Sequence, residues 1–395
     1  MSSDATPDVT SKRKILVVLG TRPEAIKLAP VIRELRGRPA DFEVAVCCTA
    51  QHRDMMDQVL ALFDLRCEHD LDIMAAGQTP TAVARILLER FEPVLAAEAP
   101  DWVMVQGDTT TAAVASLAAF YARCRVAHVE AGLRTNDKWR PFPEEINRRV
   151  AGVIADLHLA PTERARSNLL REGVPERDVV VTGNTVVDAL HWAAALPTDD
   201  ETAELLCRLD GAGLGNGSGA YRLILVTAHR RESFGAPLRE ICASLREIVQ
   251  MSGRGVRVLF TVHPNPQVRR PVHELLSDVP GVILVPPLSY AQLVHVLKRS
   301  YLVLTDSGGL QEEAPSFAKP VLVLRDMTER TEGLEAGTAR LVGTDRQVIV
   351  RETMRLLSDK DAYDRMAAAM NPYGDGHASG RIADAILAAD RRRES

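Results

Sequence analysis

Short runs of apolar residues recur along the chain, and each is followed by a segment with helical periodicity. In the first half these runs occupy residues 14–20, 43–49, 102–107, 125–131, 157–161 and 179–183. Strands that are apolar on both sides are typical of a parallel sheet whose two faces are covered by helices. The pattern therefore predicts repeated strand–helix–strand units, which build a doubly wound α/β sheet.

The pattern weakens at a glycine- and serine-rich loop, residues 210–220, and then starts again. The second series of apolar runs occupies residues 221–228, 256–262, 282–287, 301–305 and 320–324. At 395 residues the chain is also too long for one ordinary domain. We expect two Rossmann-like halves with a cleft between them, and ligands bound beyond the carboxyl ends of the strands.

Composition and charge exclude several functions. The net charge is -5, and the one run of basic residues is at the C-terminus, so a nucleic-acid surface is not expected. No stretch is long and apolar enough for a membrane span, and the first residues lack the apolar core of a signal peptide. The six cysteines form no CxxC pair, and Cys47, Cys48 and Cys242 read as buried thiols rather than bridges. We therefore expect a protein of the reducing cytoplasm.

Cations follow the first predicted strand. In GTRPEAIK, residues 20–27, Arg22 and Lys27 lie near the start of a predicted helix. The helix dipole disfavours positive charge at that end, so an anionic ligand is a reasonable compensation. Neither GxGxxG nor GxxxxGK occurs there, which argues against dinucleotide and P-loop sites.

Three acids follow, or lie beside, the ends of predicted strands of the same sheet. Asp108 and Glu130 come directly after strands, although a helix cap would also explain Asp108. Glu144 lies in PFPEEINRR, residues 141–149, where Glu144 and Arg148 have the i,i+4 spacing of an ion pair. Carboxylates gathered in this way suit proton transfer.

The adjacent acid in this segment has a different interpretation. Glu145 is spaced i,i+4 from Arg149, which is typical of an ion pair on a helix surface. Taken alone, both acids are typical of a surface helix. Considered with Asp108 and Glu130, Glu144 is interpreted as the proton carrier, oriented by Arg148, and Glu145 as a surface residue.

Phosphate-binding features dominate the second half. His229 stands beside two arginines after a strand, which favours phosphate contact. Residues 306–309, DSGG, turn from a strand into a helix and would present backbone N–H groups to a diphosphate. Glu312 or Glu313, one turn later, could bind ribose hydroxyls.

Taken together, the motifs resemble the non-hydrolysing UDP-N-acetylglucosamine (UDP-GlcNAc) 2-epimerases. The matching segments are GTRPEAIKLAPVI, QHRDMMDQVL, QGDTTTA, HVEAGLRT, PFPEEINR, TAHRRES, VHPNP and DSGGLQEEAPS. The resemblance implies a GT-B-like fold with two Rossmann-like doubly wound domains and a UDP-sugar in the interdomain cleft. We expect the domains at 12–186 and 187–375, with a C-terminal helix, 376–393, that packs back on the first.

The resemblance also implies roles for individual residues. The catalytic residues would be Asp108, Glu130, Glu144, Arg148 and His229. The substrate would be bound by Arg22, Lys27, Leu288, Leu293, Ser307, Gly308, Gly309, Glu313 and Arg330. Within these sets, His229 and residues 307–309 would hold the diphosphate, Glu313 the ribose, and Leu288 and Leu293 the uracil.

The implied reaction inverts C2 of UDP-GlcNAc and gives UDP-N-acetylmannosamine (UDP-ManNAc). It proceeds by loss of UDP to 2-acetamidoglucal and re-addition, without a metal or another cofactor, and the family precedent is a homodimer. Alternatives are a hydrolysing 2-epimerase, an epimerase of a modified UDP-HexNAc, a GT-B glycosyltransferase, and a non-catalytic UDP-sugar sensor.

Two places bear on substrate and regulation. Gln51 and His52 match positions of a possible second UDP-GlcNAc site in bacterial members. Trp139 and Arg140 differ from the usual family pattern beside the active-site motif, which keeps a modified UDP-HexNAc among the alternatives.

Overall fold

The structure, a computed structural model, describes residues 12–49, 53–73, 77–211 and 221–394. These residues form two compact units. The first contains the described residues up to Ala189 and those from Gly374 onward, and the second is Leu190–Tyr373. Across the described ranges, no helix is long and apolar enough to cross a membrane.

The first unit is built on a parallel sheet of seven strands. The strands are β1 (Arg13–Leu19), β2 (Phe42–Cys48), β3 (His69–Asp70), β4 (Trp102–Gln106), β5 (Arg125–Val129), β6 (Leu157–Ala160) and β7 (Val179–Val181). The helices are α1 (Arg22–Arg36), α2 (Arg53–Leu62), α3 (Pro80–Glu98), α4 (Thr110–Tyr121), α5 (Glu144–Ile154), α6 (Glu163–Arg171) and α7 (Thr185–Ala195), which carries the boundary to the second unit. The strand order is β3-β2-β1-β4-β5-β6-β7, so the winding reverses between β1 and β4.

The second unit repeats this plan with six parallel strands. The strands are β8 (Arg222–Thr227), β9 (Val256–Thr261), β10 (Val282–Val285), β11 (Leu302–Thr305), β12 (Val321–Val323) and β13 (Ala339–Leu341). The helices are α8 (Asp200–Gly211), α9 (Ala236–Ser252), α10 (Pro266–Leu276), α11 (Tyr290–Arg299), α12 (Gly308–Glu313), α13 (Thr331–Ala336), α14 (Arg346–Ser358) and α15 (Lys360–Ala367). The order β10-β9-β8-β11-β12-β13 places the reversal between β8 and β11. Each unit therefore has the doubly wound α/β sheet that the sequence predicts.

The central strands are buried on both faces. In β1, Leu16 and Val18 pack with residues of α3 and α4, and the alternate side chains Ile15 and Val17 are equally buried. The β8 strand behaves in the same way, with every residue from Leu223 to Val226 buried. Such strands leave little room for polar groups at mid-strand, so polar chemistry concentrates at their ends.

The last helix, α16 (Ala378–Glu394), belongs to the first unit and is anchored by one buried acid. The carboxylate of Asp390 accepts hydrogen bonds from Arg13 Nε at 2.8 Å and Trp102 Nε1 at 3.1 Å. It also pairs with Arg125, whose guanidinium lies 4.2 Å from the Trp102 ring centroid. Asp390 thus joins the starts of β1, β4 and β5 to the end of the chain.

Two strands of the structure are missing from the sequence-based prediction. The β3 strand has two polar residues, and β13 has three residues of which one is buried. Neither forms an apolar run, because an edge strand this short needs no alternating or continuous apolar pattern.

One cysteine prediction was wrong. Cys48, at the end of β2, forms a disulfide with Cys67, and their Cα atoms are 6.0 Å apart. Cys47 and Cys242 are buried thiols, as expected. The pair escapes sequence analysis because the intervening helix α2, not a short CxxC spacing, returns the chain to β2.

Candidate active site

In the first unit, three of the predicted site residues lie where neighbouring strands end. Arg22 opens α1 just after β1, Asp108 follows β4, and Glu130 follows β5. Because β1, β4 and β5 are adjacent and parallel, their carboxyl ends share one edge of the sheet. We call this edge, with the residues that follow the three strands, the acidic rim.

Arg148 joins two of the acids in the acidic rim. This buried side chain on α5 donates from Nη2 to the carboxylate of Asp108 and from Nη1 to the backbone carbonyl of Glu130, at 2.6 Å. A guanidinium carries several donors in a fixed plane, so it can hold two acceptors at once. The orientation of Glu144 by Arg148 stays a prediction, whereas these two bonds connect Arg148 to Asp108 and Glu130.

The Glu130 carboxylate is nearly inaccessible to solvent and is held by two donors. Lys27 Nζ lies 2.5 Å from Glu130 Oε2, and the Gln106 side-chain amide donates to the same oxygen. The backbone of Glu130 has φ 61°, a left-handed conformation that costs a non-glycine residue on the order of 1 kcal/mol. Such conformations concentrate at functional sites, where the surrounding bonds maintain them.

A second buried acid, Glu24, was missed by the sequence analysis. It lies in the first turn of α1 and is 1% exposed, and its Oε1 accepts from Thr109 Oγ1 at 2.7 Å. Burial raises the pKa of Glu24 to about 7, hydrogen bonds from Thr21 and Thr109 oppose that rise, and the charge of Asp108 adds to it. The sequence does contain a signal for this residue, because Glu24 is an acid in the first turn of a helix that begins directly after a strand.

Gly20 explains how these loops approach so closely. A Cβ built on Gly20 would lie 2.4 Å from Thr111 Oγ1 and 2.8 Å from Glu24 Oε2. Any side chain there would force apart the turns after β1 and β4, which carry Arg22 and Asp108.

His128 supports the turn before Asp108. It is fully buried on β5, and its Nε2 is 2.7 Å from the carbonyl of Gly107, whose φ of 72° requires glycine. Burial, together with the charge of Arg148, lowers the pKa of His128 to about 3. The ring is therefore neutral at physiological pH and donates Nε2–H to that carbonyl.

The segment 141–149 has one residue in an unexpected environment. Glu144 begins α5 and is partly buried. Glu145 is 3% exposed, pairs with Arg149 at 3.1 Å and accepts from the backbone N–H of Thr135 at 2.9 Å. The interpretation of Glu145 as a surface residue was therefore wrong, because the chain after β5 folds over it.

In the second unit, His229 and Asp306 follow the adjacent strands β8 and β11. Asp306 is fully buried, and its Oδ2 accepts from the backbone N–H groups of His229 and Arg230 at 2.7 and 2.8 Å. The His229 ring stacks on His263 with centroids 5.7 Å apart. Asp306 therefore fixes the loop that presents His229.

Residues 307–309 form the start of α12, as predicted. Ser307 precedes this helix, and its N–H is bound by Thr305 Oγ1 at 2.9 Å. A Cβ on Gly308 would lie 3.1 Å from Arg330 Cζ, so glycine lets the guanidinium approach the backbone. A Cβ on Gly309 would meet Ser307 Oγ at 3.8 Å, an ordinary contact.

The other predicted binding residues lie around this helix or on α11. Arg330 Nε donates to Glu312 Oε1 at 2.9 Å, and Glu313 is buried at the end of α12. Leu288 and Leu293 are partly buried on either side of Ser289, which caps α11. The predicted second-site residues Gln51 and His52 lie outside the described residues.

No metal site emerges from the described residues, in which no three His, Cys, Asp or Glu side chains come together as an ion would require. The charges of the acidic rim are instead paired with Lys27 and Arg148.

Replacing Glu24 by Gln should change how stability depends on pH. The pKa of Glu24 is about 7 in the folded protein and 4.5 in a solvated chain, so folding takes up a proton between these values. The stabilisation relative to E24Q is complete below the lower value and is lost as the pH rises through the higher one. The loss is about 3 kcal/mol at most.

Denaturant unfolding of the wild type, E24Q and E92Q at about pH 5 and about pH 8 measures this effect. Glu92 is exposed on α3 and serves as the control. A difference between wild type and E24Q that stays constant with pH contradicts the burial effect.

Comparison with known proteins identifies the family. The family model for UDP-N-acetylglucosamine 2-epimerase matches residues 33–387. The chain is 50% identical to the UDP-N-acetylglucosamine 2-epimerases of Salmonella typhimurium and Escherichia coli, covering 94% of this chain and 98% of each relative.

Solved structures agree with this result. The UDP-GlcNAc 2-epimerase of Neisseria meningitidis, bound to UDP-GlcNAc, has a TM-score of 0.84 at 43% identity, over 95% of this chain and all of that chain. A glycosyltransferase of kitacinnamycin, at 14% identity, has a TM-score of 0.62 over 97% of this chain and 99% of its own, which supports the GT-B-like fold alone. The fold class and family expected from the motifs are confirmed, and the chain belongs to the UDP-N-acetylglucosamine 2-epimerase family.

Proposed function

We propose that this chain interconverts UDP-GlcNAc and UDP-ManNAc by the non-hydrolysing route. The support is twofold. Relatives at 50% identity over nearly the whole chain are UDP-N-acetylglucosamine 2-epimerases, and the acidic rim joins carboxylates to cations. The single observation that carries the proposal is the Arg148 link between Asp108 and the backbone of Glu130.

The chemistry requires a base on one face of the sugar and an acid on the other. The C2–H bond of the sugar is not beside a carbonyl, so direct removal of its proton would leave an unstabilised carbanion. Removing the proton while the C1–O bond breaks forms a C1=C2 double bond and releases UDP. Protonation of C2 from the opposite face and attack of UDP oxygen at C1 then complete the inversion. General acid–base help at such a step contributes roughly 10²–10⁴-fold.

The first unit would handle these protons. Cations hold Asp108 and Glu130 in place, and Glu144 is partly buried in the first turn of α5. This turn is the positive end of the helix dipole, where an acidic side chain interacts favourably. We therefore assign Glu144 as a proton carrier, and Asp108 and Glu130 as the other acids of the reaction.

The second unit would bind UDP. His229, with Ser307 and the N–H groups of Gly308 and Gly309, would contact the diphosphate, and Arg330 would add positive charge at the nucleotide end. Glu313 would accept hydrogen bonds from the ribose hydroxyls. Leu288 and Leu293 would pack on the uracil. Stabilising the departing diphosphate lowers the barrier to breaking the C1–O bond.

This proposal implies a cytoplasmic enzyme. The thiols of Cys47 and Cys242 agree with reducing surroundings. In such surroundings Cys48 and Cys67 would be reduced to free thiols.

We further propose that two copies associate through an apolar face of the first unit. Its members are the exposed side chains of Phe120, Tyr121, Ile146, Val150 and Val153. Val153 is 88% exposed and also lines a cavity of about 860 Å³. Helices α4 and α5 pack side by side, and on α5 Ile146, Val150 and Val153 have the i, i+4 and i+7 spacing of one helix face. An apolar face of this kind on a soluble unit marks an interface.

Turnover in D₂O tests the reaction. We expect deuterium at C2 of the product UDP-ManNAc and of the recovered UDP-GlcNAc, because the proton is exchanged with solvent in each cycle. NMR and mass spectrometry measure the incorporation. Product with hydrogen retained at C2 contradicts the proposal. Release of free ManNAc with UDP would identify a hydrolysing enzyme, and transfer to an acceptor a glycosyltransferase.

The change Glu144→Gln should lower kcat by roughly 10²–10⁴-fold while the Kd for UDP-GlcNAc stays within a few-fold. The amide keeps the shape of the carboxylate but cannot carry the proton. The control is E163Q, an exposed glutamate in the first turn of α6. Equal losses in turnover and binding would show that Glu144 has a structural role instead.

The change Val153→Glu should convert a dimer into a monomer, because it places a charge in the apolar face. Sedimentation equilibrium of the wild type and the variant measures the mass. Met251→Glu, at an exposed position on α9 of the second unit, is the control and should leave the mass unchanged. A wild type that sediments as a monomer at micromolar concentration refutes this interface.

A further inference from the structure

The two carboxylate oxygens of Asp306 are used differently. Oδ2 accepts three hydrogen bonds, from the backbone N–H groups of His229 and Arg230 and from Ser233 Oγ at 3.3 Å. Oδ1 is buried, makes no hydrogen bond within the described part of the chain, and lies 3.4 Å from Nδ1 of the His229 ring. One oxygen therefore fixes the loop, and the other is directed at the imidazole.

We propose that Asp306 is a positioning residue that holds His229 in the Nδ1–H tautomer. A carboxylate is an acceptor without a proton to donate, so the nitrogen facing it must carry the hydrogen. Nε2, the ring nitrogen farther from Asp306, is then the one that can take up a proton and share it with a ligand. This inference rests on the proposed function in one respect, the contact of His229 with the diphosphate.

Most of the surroundings of His229 disfavour its protonated form. The ring is 37% exposed and stacks on His263, and Arg230 is its neighbour in the chain. Burial lowers the pKa of His229, and the charges of Arg230 and His263 lower it further, whereas Asp306 raises it. Asp306 is thus the group in this set that favours an imidazolium, the form that binds a diphosphate with a charge-assisted hydrogen bond.

The geometry also separates this role from simple support of the loop. In Asp306→Asn the amide oxygen must face the backbone N–H donors of His229 and Arg230, since an NH₂ group there would meet two donors. The NH₂ group then replaces Oδ1 and donates toward Nδ1 of His229. Nδ1 becomes an acceptor, and the hydrogen moves to Nε2. The variant therefore keeps the loop but reverses the tautomer.

Nitrogen-15 NMR of histidine-labelled, full-length protein tests the inference directly. His229 is identified by the signal lost in His229→Gln. We expect Nδ1–H in the wild type and Nε2–H in D306N. The control is S233A, which removes one bond from Oδ2 without changing Oδ1 and should keep Nδ1–H. An Nε2–H wild type, or the same tautomer in wild type and D306N, overturns the proposal.

Activity gives an independent measurement. With UDP-GlcNAc as substrate, D306N should lower kcat/KM by about 10-fold or more, while S233A should change it by less than about 3-fold. Equal losses in the two variants would show that Asp306 only supports the loop. If the tautomers behave as expected but no epimerisation is detected with any variant or the wild type, the proposed function fails and the tautomer assignment stands. Circular dichroism confirms that each variant is folded.

Discussion

Burial of the central strands on both faces is the constraint on which the rest of each unit depends. A strand covered by helices on both sides leaves little room for charge along its length, so charged groups collect where the strand ends. In the first unit this places Arg22, Asp108 and Glu130 on one edge of the sheet. In the second unit the same rule places His229 and Asp306 side by side on adjacent strands.

Charges gathered at these ends must be balanced, because burying an unpaired charge is costly. In the acidic rim the balance comes from Lys27 at 2.5 Å from Glu130, and from Arg148, which also holds the carboxylate of Asp108. Glu24 is balanced differently, by the raised pKa that lets it keep a proton. The left-handed backbone of Glu130 is maintained by the same set of bonds. Stability and the geometry of the acids are therefore provided by the same residues.

The sequence predicted what depends on local pattern. Apolar runs located the long strands, and the motifs located the strand ends and the family. Pairings between distant residues were not predictable, since Arg148 reaches Asp108 and Cys48 reaches Cys67 only through the fold. The burial of Glu24 and Glu145 was not predicted, because acids in the first turn of a helix are equally typical of an exposed helix. Burial depends on how the elements pack. The short edge strands β3 and β13 carry too few residues to produce a pattern.

The bonds made by Asp390 also affect the order in which the protein can be completed during synthesis. Its partner Arg13 precedes it by 377 residues, so this bond forms only after all the residues between them have been synthesised. Until then the starts of β1, β4 and β5 lack the acid that balances Arg13 and Arg125. The second unit is encoded between these partners and is therefore synthesised before Asp390. Completion of the first unit is thus a late event, although most of its sequence is made early.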